Sequence, residues 1–100
     1  MRWLAFLAVM AVFATAAHAH EAPMGWTYDY VCCSGVDCRQ VSATTVRVTK
    51  EGYVVGPKQT LIPYGDTRIK QSKDEFYHWC TVAGRDDTST LCLYVPQSLF

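Results

Sequence analysis

Five cysteines and three histidines carry most of the reactive chemistry in this 100-residue chain. The cysteines are Cys32, Cys33, Cys38, Cys80 and Cys92, an early cluster followed by a late pair. Thiols so placed admit three chemistries. Zinc could draw on Cys32, Cys33, Cys38, His78 and Cys80, whose ligand types fit, but no pair of CxxC knuckles supplies the spacing. Thiol–disulfide exchange wants an accessible, acidified thiol, usually in a CxxC motif at a helix N-terminus, and neither feature occurs. Disulfide cross-linking fits best. Cys32 and Cys33 are adjacent, and a bridge between neighbours would strain the intervening peptide. Each bridge is therefore expected to join the early cluster to the late pair, or Cys38 pairs within the early cluster; the connectivity stays open. Five is odd, so one thiol is left over: buried and inert, reactive, or linking two chains as a disulfide dimer.

Histidine suggests a different ligand. Cleavage after Ala19 would make His20 the first residue, offering its α-amine and imidazole to one ion. With His78 as a third nitrogen, this set suits Cu(II) in a tetragonal field. The stretch Ala17-His18-Ala19-His20 is similar to the processing junction of periplasmic copper carriers with an N-terminal histidine, a likeness confined to that junction. Copper is thus the one cofactor suggested, and none is required. A hydrolytic nucleophile would need a base and an orienting group within reach; only His78, with His20, could serve as base, and no GxSxG pattern exists. Asp74, Glu75, Asp86 and Asp87 fall in turns and read as solvated loop charge. Trp26, Tyr28 and Tyr30 share a face if their segment is a strand. With Tyr53, Tyr77 and Trp79 they are either core or an exposed surface for sugar rings or a protein partner.

The N-terminus accounts for the cysteines. Arg2, the apolar run Trp3 to Phe13 and the small residues Ala14 to Ala19, ending Ala17-His18-Ala19, follow the order of a secretory signal peptide. The run is shorter than the roughly 20 residues that cross a bilayer. The expected organisation is a signal peptide at 1–19 and a single cysteine-rich β domain at 20–100, periplasmic or secreted. Nine Lys and Arg balance nine Asp and Glu; losing Arg2 leaves a mature charge of about −1. Without a basic stripe nucleic acid is not an expected partner, and no second apolar stretch would span a membrane. So short a chain buries only about 60–65% of its unfolded surface. One bridge closing a loop of about 40–60 residues adds roughly 4 kcal/mol on the loop-entropy account. In an oxidising compartment such staples substitute for core.

Short strands position these residues. Val46-Arg47-Val48-Thr49 and Tyr53-Val54-Val55 flank Lys50-Glu51-Gly52 as a hairpin, with Gly52 supplying a positive φ. Thr60-Leu61-Ile62 is a third strand, ended by Pro63 and the turn Tyr64-Gly65-Asp66. A second hairpin is expected from Phe76–Ala83 and Thr90–Val95. Centred on Asp86, it sets Cys80 opposite Cys92 and His78 opposite Tyr94. The face with Tyr77, Trp79, Leu91, Leu93 and Val95 is the stronger apolar set and the expected core side. Ser72-Lys73-Asp74-Glu75 reads as a turn, since no helical period follows it. The fold class is mainly β: a small antiparallel sheet or curled, barrel-like domain of two hairpins plus short strands, disulfide-stapled.

The run Cys32-Cys33-Ser34-Gly35-Val36-Asp37-Cys38-Arg39 resembles the hallmark of a group of small exported proteins of Gram-negative bacteria. Gly52-Tyr53-Val54-Val55, Ile62-Pro63, His78-Trp79-Cys80 and Cys92-Leu93-Tyr94-Val95-Pro96 are similar to it as well. At Lys73-Asp74-Glu75 that group has a tighter Pro-Asp-Gly turn. The resemblance implies export and one domain and supplies no mechanism. The sequence therefore suggests an exported, non-catalytic binding or interaction module for a protein or small ligand in the periplasm. A copper binder using His20 and His78 is the alternative, and a thiol–disulfide redox protein the third reading.

Overall fold

Seven short strands in two sheets make up the computed structural model, which describes residues 21–99. The expected signal peptide and His20 lie outside the described residues. In chain order the strands are β1 (Cys38–Val41), β2 (Val46–Val48), β3 (Gly52–Val55), β4 (Thr60–Pro63), β5 (Ile69–Gln71), β6 (Tyr77–Thr81) and β7 (Thr90–Val95). One sheet has the order β1-β6-β7-β5 and the other β2-β3-β4. The fold is mainly β, and the two sheets are not closed into a barrel.

The second sheet follows from local pattern. Val46 pairs with Val55, and Tyr53 with Ile62; these four side chains face inward and are buried. The turn between β2 and β3 requires glycine at position 52. Its φ is +155°, and a Cβ there would collide with the Ile62 carbonyl.

The β6–β7 hairpin keeps the expected register, with His78 opposite Tyr94, Trp79 opposite Leu93 and Cys80 opposite Cys92. Beyond that pair the register shifts, and Thr81 faces Thr90. Leu91 is thus the extra residue of a bulge. β6 stops at Thr81, short of the expected Ala83, because Val82–Gly84 forms a short 3-10 turn in which Ala83 takes φ +61°.

Sequence pattern favours one core face of this hairpin, and the structure buries both. All five residues of β6 are buried. Tyr77, Trp79, Leu93 and Val95 pack against Val46, Tyr53, Val55 and Ile62 of the second sheet. On the opposite face Cys80, Cys92 and Tyr94 pack against Ala22, Tyr28, Cys32 and Cys33. The segment carrying Trp26, Tyr28 and Tyr30 covers that second face as a loop, not a strand; its one ladder contact is the bridge Glu21–Thr27. Aromatic residues there form a lid, which a chain too short for a third layer needs in order to seal the sheet.

Two strands escape the sequence pattern. β1 carries the polar pair Arg39-Gln40 and lies at the sheet edge, antiparallel to β6. β5 pairs parallel to β7, which makes the four-stranded sheet mixed.

Candidate functional site

Both disulfides join the early cysteines to the late pair. Cys38–Cys80 links β1 to β6 at directly opposed residues. Cys32–Cys92 ties the N-terminal lid to β7. The antiparallel ladder makes Cys80 and Cys92 neighbours, so the two bridges lie side by side on one face. Cys33 is the free cysteine, with no exposed surface, and its thiol donates to the Gly35 carbonyl at 3.2 Å. Three of the four sulfurs in the zinc set, those of Cys32, Cys38 and Cys80, are thus spent in disulfide bonds.

Beside the bridges lies a buried polar chain. Asp74 accepts from Trp26 Nε1 at 2.7 Å, Ser72 Oγ at 2.8 Å and the Phe76 backbone N–H at 2.9 Å. Its Oδ1 lies 2.9 Å from His78 Nε2. Burial works to raise the Asp74 pKa, but the donors from Trp26, His78, Phe76 and Ser72 prevail and hold it down to about 2. An ionised carboxylate only accepts, so His78 Nε2 carries the proton and donates. The other nitrogen, Nδ1, sits 2.8 Å from the Tyr28 hydroxyl. With a neutral ring, Tyr28 donates to it. Burial, with the nearby Cys33 and Asp74, pushes the Tyr28 hydroxyl pKa well above the ordinary phenol value, which keeps that proton in place. Tyr94, likewise buried and raised, donates to Asp29 Oδ2 and accepts from the Asp29 N–H.

A carboxylate–imidazole–hydroxyl chain has the connectivity of a nucleophile-activating relay. Access decides against that role. Tyr28 is 2% exposed and His78 0%, so no external electrophile reaches the hydroxyl. Trp26 closes the assembly by edge contacts with Tyr28, His78 and Tyr94. The chain is a satisfied polar core.

The residues singled out by type and spacing separate accordingly, and one needs correcting. Asp74, expected as solvated loop charge, is the hub of this network; the four-residue spacing to His78 is its only trace in the sequence. His78 has both ring nitrogens engaged by protein partners, and His20 lies outside the described residues. Trp26 and Tyr28 are brought together, whereas Tyr30 stands apart and 64% exposed. Among the described residues, no three His, Cys, Asp or Glu side chains are grouped to hold a metal.

Among the described residues the sheet edges are β1, β5, β2 and β4, and β1 is the one flanked by grooves. This strand is an edge. The Thr81 N–H donates to the Asp37 carbonyl, and the antiparallel alternation that follows turns the Arg39 and Val41 backbone groups toward β6. The N–H and C=O of exposed Gln40 therefore point outward. On one side lies a polar groove of about 430 Å3 between Arg39, Thr44, Thr45, Gly56, Pro57 and Asp86. The Arg39 guanidinium lies 4.5 Å over the Trp79 ring. It donates to the Thr81 hydroxyl and pairs with Asp86. On the other side is a larger groove of about 700 Å3, lined by Val41, Phe76, Tyr77, Pro96 and Leu99, with Glu75 its charged residue. Phe76 and Leu99 are 42% and 58% exposed. Sequence reasoning misses this site, because the groove needs β1 and the C-terminal turn Gln97–Leu99 brought together.

No family model, curated protein or solved structure matches this chain. Among the described residues, no helix is long and apolar enough to cross a membrane.

Proposed function

We propose that this chain is an exported, non-catalytic interaction module, acting in the periplasm or outside the cell, whose working surface is the β1 edge and its flanking grooves. One contrast carries the reading. Among the described residues, the histidine, the free thiol and the tyrosine bonded to that histidine, His78, Cys33 and Tyr28, are sealed in the interior, while a strand edge and an apolar groove with half-exposed Phe76 are open. Convergent reactive groups in a cleft mark a catalyst; an uncovered strand edge beside an apolar groove is the arrangement that takes up another chain. Export rests on the order of features in the first nineteen residues, and the two disulfides agree with an oxidising compartment.

The test is photo-crosslinking in the exporting cell from an unnatural residue at Phe76, with Val48 as control. Val48 is 58% exposed on the other sheet. A discrete heavier adduct from position 76, absent from position 48, is the expected result. Adducts from both positions alike, or from neither, would remove the reading.

A further inference from the structure

Resting on that reading, we propose that the partner is an extended, basic polypeptide segment that adds as a strand to β1. It would seat an apolar side chain on Val41, Phe76 and Leu99 and place a Lys or Arg beside Glu75. Three observations converge. First, the outward N–H and C=O of Gln40 offer a template for main-chain pairing, which supplies affinity independent of sequence. Second, Gln40 and the next residue, Val41, both line the apolar groove. A segment paired with β1 therefore passes directly over it, with alternate side chains pointing down.

Third, the charge has one sign to spare. The lining charges of the two grooves are Arg39, Asp86 and Glu75. Arg39 is taken by Asp86. Glu75 is exposed and accepts only a 3.3 Å bond from the Ser98 N–H. The carboxylate is left to select a cation.

The experiment titrates the oxidised, processed protein with two short synthetic peptides of alternating Val and Thr. They differ only in a Lys or a Glu beside the central Val. Amide shifts by NMR locate binding and calorimetry measures it. The Lys peptide should move the Gln40 and Val41 amides and bind about tenfold or more tighter than the Glu peptide. Glu75→Lys should reverse that order. Gln40→Pro should abolish binding with the melting temperature little changed, since proline at an edge removes only the outward donor. Equal binding of both peptides at β1 would overturn the basic segment yet leave the interaction surface standing. Shifts elsewhere, or none, would overturn strand addition. Concentration-dependent shifts at β1 without peptide would make a second copy the occupant and overturn the proposal.

Discussion

At the scale of single residues, Asp74 decides how the interior tolerates its polar groups. It collects donors from Trp26, Ser72, Phe76 and His78, so its charge is compensated where a lone buried carboxylate would be costly. Asp74→Asn keeps the shape, but the amide nitrogen must face a donor. A loss of about 1–3 kcal/mol is expected, measured by urea unfolding of the oxidised protein. The pH dependence has a definite sign. The folded pKa of about 2 lies below the ordinary 3.8, so the unfolded chain binds more protons in between. The stabilisation is full above the unfolded value and fades as pH falls through the folded one. Half-buried Asp66 and exposed Asp87, held down chiefly by side-chain bonds from Arg68 and Arg85, act in the same direction. Asp74→Asn should therefore flatten, without abolishing, the fall in stability between about pH 4 and pH 2. An unchanged slope would mean that Asp74 is not the buried hub. Tyr28→Phe strands His78 Nδ1 without its donor. It should cost about 1–3 kcal/mol, read in the same unfolding assay.

At the scale of elements, the second sheet and the β6–β7 hairpin are legible in the sequence because their signals are local. β-branched runs flank a glycine in one, and cysteines align across a turn in the other. β1 and β5 are not legible. Arg39-Gln40 carries no apolar alternation, and β5 joins a strand distant in sequence by a parallel pairing that no hairpin geometry announces. Two-sided burial of β6 is hidden as well, since Tyr77-His78-Trp79-Cys80-Thr81 mixes polar and apolar residues that only the lid and the second sheet together can cover. Gly56 shows how close that cover is. Its φ is +77°, and an added Cβ would drive into the six-membered ring of Trp79. At Gly65, φ is +87° with nothing within 4 Å of the same atom. Gly65→Ala should therefore cost only the left-handed backbone term, about 1–2 kcal/mol. Gly56→Ala adds overpacking of about 1–3 kcal/mol. Equal losses of thermal stability for the two variants would refute tight docking of the β3–β4 turn on Trp79.

At the scale of the whole molecule, the two staples are nested and so cannot act independently. Cys32–Cys92 spans 60 residues and encloses Cys38–Cys80, which spans 42. Either bridge alone removes about 4 kcal/mol of freedom from the unfolded chain. Once one is closed, the second closes only the short ring left between them, made of the stretches 32–38 and 80–92. That ring is worth about 3 kcal/mol. Removing either pair by alanine should thus cost a similar amount, despite the unequal spans, and removing both should cost about 7 kcal/mol. The latter is comparable to the entire stability of an ordinary small domain. Each single-bridge variant is therefore expected to fold, with a lowered melting temperature, and the double variant to lose its cooperative transition. Thiol titration of the denatured, unreduced wild type should find one reactive group, mapping to Cys33. If the 60-residue bridge proved far the more important, loop entropy would not be its main contribution. Anchoring of the Trp26–Tyr28 lid over the polar core would then carry the difference.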